Sequence, residues 1–250
     1  MHTEGVPPTQ LWSAPPTPLR LAAGEAHVWR ATLAPGGAAL ARVWKLLSPD
    51  EQRRALRMRF PIHRARTIAS RGALRILLGR YLDLAPEEIP IVVAQSGRPS
   101  LAGGARPIRF SVAHTGPLAL FAFADDRGIG VDVERLRRGL PFDRLAARFF
   151  AAAEIEELGA VPEGSLPAAF FACWTRKEAL FKAWGGEGGL VPSLRRFAVP
   201  VAPEAERMGV TTDDAQQWEL ATLHAGPGFA ASLALEAPAA ASCFHFDWSA

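Results

Sequence analysis

Cysteine is scarce: Cys173 and Cys243 are the only two in 250 residues. That excludes a disulfide framework and a four-cysteine zinc site, and makes a reduced, cytoplasmic setting the expectation. No uninterrupted apolar run reaches the roughly 18 residues of a membrane-spanning helix, so no membrane partner is expected. The stretch Met1–Leu21 has five prolines and no apolar core. It reads as a loosely ordered lead-in and not as a signal peptide. Familiar catalytic signatures are missing as well. A GxxxxGK[ST] loop is excluded because the three lysines follow Trp44, Arg176 and Phe181. Neither GxSxG nor HExxH occurs, and the six histidines show no ligand spacing. Gly226-Pro227-Gly228-Phe229-Ala230-Ala231 fits GxGxxA, but it leads into strand-like alternation, the wrong setting for a dinucleotide.

The composition is that of a globular chain, 49% hydrophobic and 21% charged. The net charge is only +3, yet nine arginines fall between Arg53 and Arg80, against one acid, Glu51, in residues 51–80. Such a cluster is either a solvated helical face or a surface for phosphates or an acidic partner. No nucleic-acid partner is expected. With 28 basic residues but three lysines, the pair Lys177 and Lys182 in one short segment stands out.

Periodicity predicts a repeated order. A strand at His27–Leu33 precedes helices at Gly37–Leu47, after Ser48, and at Ile62–Leu82. The run Ser48-Pro49-Asp50-Glu51 has the form of an N-cap with proline at the first helical position. A strand at Ile89–Gln95, a turn at Ser96–Pro99, and a hairpin of Ile108–Thr115 with Leu118–Ala124 follow. Then the order recurs: a strand at Gly128–Glu134, helices at Phe142–Phe150, Ala152–Leu158 and Leu166–Trp184, the last stopped at Gly185-Gly186, and strands at Phe197–Val201, Trp218–Leu223 and Phe229–Leu235. The expected fold is α+β, with two similar halves meeting near Asp125–Gly128 and a ligand cleft between them. The expected divisions are a lead-in over 1–25, an N-terminal half over 26–126 and a C-terminal half over 127–250.

Two segments carry chemistry. In Gly128–Glu134, alternation puts Ile129, Val131 and Val133 on one face and Gly130, Asp132 and Glu134 on the other. Two carboxylates roughly 6–7 Å apart along a strand repel unless water or a cation lies between them. Oxygen-only ligands suit a hard ion such as Mg2+. The plainer alternative is a half-exposed strand with a polar outer face. In the helix Phe170–Trp184, the residues Phe170, Trp174, Phe181 and Trp184 form an apolar stripe on which Lys177 falls. A lysine there is costly to bury without an anion, which favours a functional role. Glu178 and Lys182 are i,i+4 neighbours: either a surface ion pair, or a third metal carboxylate beside ammonium groups for phosphates. Cys173 reads as a packed core thiol.

Together these motifs resemble the surfactin-synthetase-type 4′-phosphopantetheinyl transferases. Gly128-Ile129-Gly130-Val131-Asp132-Val133-Glu134 is similar to their first signature, and the run Trp174 to Gly185 (WTRKEALFKAWG) to their second. Arg148-Phe149-Phe150 with Glu154 fits the element between. Upstream, Gly97-Arg98-Pro99 and Phe110-Ser111-Val112-Ala113-His114-Thr115 match two more, so the likeness spans about residues 45–236. It implies two α+β halves related by pseudo-twofold symmetry, with the active site at their interface. It implies transfer of phosphopantetheine from coenzyme A to a serine of an acyl, peptidyl or aryl carrier protein, with Mg2+ and release of adenosine 3′,5′-bisphosphate. By position, Asp132, Glu134 and Glu178 would hold Mg2+. Lys177 and Lys182 would neutralise phosphate oxygens, and His114 and Arg66 would bind the adenosine phosphates. Gly97 and Arg98 would bracket adenine, and Glu178 or a metal-bound water would take the serine proton, with Glu154 a further candidate. Arg53, Arg54 and Arg57 are available for the 3′-phosphate. An acidic carrier gives the arginine cluster a use as a docking face. Ala113 departs from the hydroxyl residue many relatives carry there. A catalytically silent carrier or coenzyme A binding module is the alternative, and a monomer is expected because two halves within one chain can form the cleft.

Overall fold

The computed structural model describes residues 12–34, 36–94, 97–103, 108–185, 194–238 and 240–245. Gln95, Ser96 and Gly186, the beginning of the lead-in and the last five residues of the chain lie outside them.

The strand Leu118–Asp125 (β5) is a continuous run of apolar residues, and the structure buries both its faces. It sits inside a four-stranded sheet between β1 (Glu25–Thr32) and β4 (Ile108–Thr115), with β10 (Ala240–His245) outside β1. Phe121 and Phe123 point at the long helix α3 (Pro61–Leu82) and pack with Leu74, Leu77, Leu78 and Tyr81. Leu120 and Ala122, on the opposite face, meet a second sheet. That sheet runs β6 (Ile129–Arg135), β9 (Phe229–Glu236), β8 (Gln217–Thr222), β7 (Arg207–Thr211), all antiparallel. Ile129, Val131 and Val133 of β6 supply its share of the core between the sheets. On its far side lies α6 (Leu166–Trp184), over a core of Phe170, Phe171, Leu180, Trp218 and Leu220. The layers are helix, sheet, sheet, helix, an α+β arrangement with β4 and β6 back to back.

Smaller elements frame one end. α1 (Gly37–Leu46) and α2 (Pro49–Leu56) lean on α3, and β2 (Ile91–Val93) pairs with β3 (Pro99–Leu101). At α2, Ser48 Oγ accepts from Glu51 N while the Glu51 carboxylate accepts from Ser48 N at 2.9 Å, a reciprocal cap. α4 (Phe142–Phe149) and α5 (Ala152–Gly159) precede α6, which ends at Gly185 with φ 113°. The hairpin β4–β5 turns at Gly116, φ 55°, where a left-handed residue is required.

Three expectations differ. The C-terminal half does not keep all of 127–250: β10 returns to the first sheet and pairs parallel with β1. Its sequence, AASCFH, has one large apolar side chain and no alternation, so pattern reading passes over it. The lead-in is strapped down from residue 12: Trp12 Nε1 donates to His224 O at 2.8 Å and Ser13 N to Cys243 O at 3.1 Å. Finally, Phe197–Val201 is not a strand. Phe197, Val199 and Val201 are buried in alternation, so the pattern was real, but the backbone partners are side chains. Lys177 donates to Phe197 O, Arg176 to Pro200 O and Ala202 O, and Glu154 accepts from Val199 N.

Candidate active site

Gly130 decides how near α6 lies to β6. A Cβ there would stand 2.6 Å from Ala183 N and 3.0 Å from Ala179 C, and closer still to Ala179 O. With no side chain in the way, Lys182 reaches across. Its Nζ donates to Asp132 Oδ1 at 2.7 Å and to Val131 O at 3.2 Å. Asp132 is buried, and its other oxygen, Oδ2, has no hydrogen-bond partner. β6 is therefore covered on both faces, and the plainer reading of a half-exposed strand fails.

Glu134 follows on the same face and accepts from Thr115 Oγ1 of β4 at 3.3 Å. Burial raises its carboxyl pKa, and the Asp132 charge adds to the rise against Arg137. Glu178 lies one turn before Lys182. Burial pushes its carboxyl up to about 7, helped by Asp132 and Glu134 and opposed by Lys182. Three carboxylates thus share one field that is short of positive charge. Among the described residues, no group of three His, Cys, Asp or Glu side chains forms a ready metal cage. A hard cation typically takes only one or two protein carboxylates beside phosphate oxygens and water. An oxygen-only donor set with a buried, unsatisfied Asp132 Oδ2 suits such an ion.

Glu178 and Lys182 open into a cavity of about 290 Å³ whose other wall carries Gly97, Arg98, Phe110 and Ser111. Ser111 Oγ ties the two sheets, accepting from Val131 N at 3.1 Å. Gly97, at φ 85°, turns the β2–β3 connection, and Arg98 follows it. Burial lowers the Arg98 pKa, and nearby Arg109 lowers it further. Across Gly97, Pro99 and Val112 lies a second cavity, about 670 Å³, lined by Arg54, Thr67, Ser70, Arg71 and His114 among others. Burial holds the His114 imidazole below its usual range, and Lys182, Arg71 and Arg66 depress it further. Arg54, Arg71 and His114 share the wall of this ligand-sized cavity with Asp50 and Glu51, and an anion bound beside the basic groups relieves their mutual repulsion. Arg66 has a buried Nε with no partner and lies within electrostatic reach of His114.

The structure corrects two assignments. Lys177 does not face this cleft. It is fully buried on the other side of α6, where Nζ donates to Glu154 Oε1 at 2.6 Å and Phe197 O at 2.7 Å. The anion demanded by a lysine on an apolar stripe is internal. Glu154 is equally remote: its carboxylate accepts from Lys177, Val199 N and Ala151 N. Arg75 is also internal, bound to Glu51 at 2.7 Å, so it leaves the surface cluster. Cys173 is a core thiol, as expected.

Sequence reasoning did not single out Arg71 or Gly130. Arg71 is one arginine among nine, and only its place on the wall of the larger cavity with His114 selects it. Gly130 carried a usable signal: a glycine inside a strand, on the face of the two acids, marks a close backbone approach.

The chain resembles known proteins over much of its length. The family model of the 4′-phosphopantetheinyl transferase superfamily matches residues 128–236. The 4′-phosphopantetheinyl transferase HetI of a Nostoc species is 36% identical over 194 residues, covering 77% of this chain and 82% of HetI. The 4′-phosphopantetheinyl transferase AcpT of Salmonella typhimurium is 36% identical over 127 residues, 50% of this chain and 64% of its own. The 4′-phosphopantetheinyl transferase Sfp of Bacillus subtilis is 24% identical over 189 residues, 75% of this chain and 81% of its own.

Proposed function

The chain belongs to the 4′-phosphopantetheinyl transferase superfamily, and we propose that its residues divide the reaction among three zones. The enzyme moves the 4′-phosphopantetheine group of coenzyme A onto a serine hydroxyl of a carrier protein, leaving adenosine 3′,5′-bisphosphate. The sequence motifs favour the surfactin-synthetase-type members. The two sheet-and-helix layers form halves related by a pseudo-twofold axis, the second beginning at residue 127, with the cleft between them.

The adenosine and its 3′-phosphate occupy the larger cavity, where Arg54, Arg71 and Arg66 supply positive charge, His114 supplies a ring N–H, and Gly97 and Arg98 border the base. The diphosphate lies in the smaller cavity against Lys182 and Arg98. Asp132, Glu134 and Glu178 would hold Mg2+, which when bound would supply charge neutralisation and Lewis acidity. Lys182 stabilises negative charge on the departing bisphosphate. Glu178 receives the serine proton as general base. Thr115 holds Glu134 in place through its hydroxyl.

The partner is an acidic carrier. Leu56, Met58, Phe60 and Ile62 are exposed in one stretch, interleaved with Arg57 and Arg59, beside the cavity that Met58 lines. Apolar anchors within a basic field suit an acidic helix. The enzyme acts as a cytoplasmic monomer.

The observation that carries this reading is the meeting of Glu178 and Lys182 from one sheet's helix with Gly97 and Arg98 from the other half, around one cavity. Mass spectrometry of an apo carrier protein with coenzyme A and Mg2+ tests it. The carrier gains one phosphopantetheine, and a chelator abolishes the gain. Coenzyme A binding without transfer to any acyl, peptidyl or aryl carrier would instead mark a silent binding module.

A further inference from the structure

β4 and β6 are both outer strands, β4 at one end of the first sheet and β6 at one end of the second. They lie against each other, yet among the described residues no backbone hydrogen bond joins them. Two side-chain bonds do, and β4 supplies both hydroxyls. Thr115 Oγ1 donates to Glu134, and Ser111 Oγ accepts from Val131 N at 3.1 Å.

Val131 directly precedes Asp132 and is fully buried. Its N–H and C=O leave the strand on one side, away from β9, because both groups of a strand residue point the same way. On an outer strand such groups have no ladder to join. Ser111 takes the N–H from the first half, and Lys182 Nζ, on α6, takes the C=O at 3.2 Å. The same ammonium group donates to Asp132 Oδ1 at 2.7 Å. Val131 is thus gripped from both halves at once, beside the buried carboxylate.

We propose that Ser111 is a positioning residue for the transfer: by holding Val131 from the first half, it fixes Lys182 and Asp132 in the second. This inference rests on the transferase reading above. Ser111 is buried in the wall of the cavity that Glu178 and Lys182 also line. Without its hydroxyl, Val131 N–H is buried and has no acceptor, which costs free energy. β6 has no ladder on that edge to keep it in place, so the strand shifts. Val131 O moves with it, and Lys182 loses one of the two acceptors that aim its ammonium group. The charge meant for the departing bisphosphate is then misplaced. Coenzyme A binding, shared with the arginines of the larger cavity, changes little.

The test separates lost positioning from lost stability. On the full chain, kcat and KM for coenzyme A are measured by carrier labelling with Mg2+, beside Tm. Ser111→Ala is compared with Tyr81→Phe, which likewise takes the acceptor from a buried N–H, that of Trp29, but in the core under α3. Both are expected to lower Tm. Only Ser111→Ala is expected to lower kcat, by about tenfold, since a misplacement of about 1 Å costs about a hundredfold and one lost pin displaces less. Its KM for coenzyme A stays within twofold. Ser111→Cys keeps the size and weakens the acceptor, so its kcat falls between the two; it carries the same comparison should Ser111→Ala fail to fold. Unchanged kcat in the Ser111 variants overturns the proposal. So does an equal fall in Tyr81→Phe, which a purely structural role gives, and so does a loss confined to KM, which marks a ligand contact. A parent chain that labels carriers no faster than Ser111→Ala loses only this inference. A parent chain that labels no carrier loses the transferase reading as well.

Discussion

Gly130→Ala tests the packing on which the site depends. The added methyl would meet the backbone of α6, with Ala183 N at 2.6 Å and Ala179 O nearer than that. Neither atom can rotate away, because both belong to the helix ladder. Ordinary contact begins at 3.4 Å, so α6 must retreat from β6 by about 1 Å or more, a typical response to overpacking. Overpacking costs about 1–3 kcal/mol, and a backbone collision places this change at the upper end. For a chain of this length that lowers Tm by roughly 6–12 °C.

The catalytic effect is expected to exceed the stability effect. The 2.7 Å contact between Lys182 and Asp132 spans the β6–α6 gap, and Glu178 moves with the same helix. A displacement of about 1 Å at such a centre costs about a hundredfold in rate. The assay is kcat/KM for carrier labelling, beside a melting curve in the same buffer. Gly209→Ala on β7, where a Cβ meets nothing within 4 Å, serves as control and should change neither. Full activity in Gly130→Ala, with Tm within a degree of the parent, would show that close approach at this glycine does not set the site.

Other outcomes follow from the same structure. Lys177→Met leaves the Glu154 charge buried without its cation, so it should cost about 3–5 kcal/mol in urea unfolding while coenzyme A affinity per folded molecule is unchanged; a stable variant that loses coenzyme A returns Lys177 to the cleft. Glu178, with a folded pKa of about 7, must ionise to bind Mg2+. Affinity for Mg2+ should therefore rise by up to about tenfold per pH unit below 7 and level off above it, and a flat profile in a calorimetric series refutes the assignment. Since its folded pKa exceeds the unfolded one, stability from this group is full at pH below 4.5 and is lost as pH rises through 7. Without metal, Glu178→Gln should thus narrow the gap in Tm between pH 6 and pH 8. Arg71→Ala should raise KM for coenzyme A more than for dephospho-coenzyme A; equal changes would remove Arg71 from the 3′-phosphate.

The layout was legible where one face of an element was buried against one neighbour. α6 began and ended where its stripe and Gly185 indicated, and β4–β5 turned at Gly116. The acids of β6 were readable because period two puts Asp132 and Glu134 on one side whatever the sheet around them. Lys177 shows what periodicity leaves out. Its position on the apolar stripe correctly implied burial beside an anion, but a helix pattern does not say which neighbour brings the anion. Here α5 brings it, through Glu154.

The same polar residues account for the misread strand. Phe197–Val201 has the alternation of a strand and is buried like one, yet its backbone groups pair with Arg176, Lys177, Glu154 and Glu157 rather than with a second strand. Consecutive residues on one helix thereby do opposite work. Arg176 and Lys177 face inward and hold that segment by its carbonyls, while Glu178 and Lys182 face the cleft. Tertiary context alone separates them, because all four are charged groups within two turns of a helix. The inward pair also helps to anchor α6, and Gly130 lets α6 rest directly on β6. Together they fix the helix whose opposite face carries the chemistry, so a core mutation such as Lys177→Met and a cleft mutation such as Lys182→Ala should be separable by whether stability or ligand affinity falls.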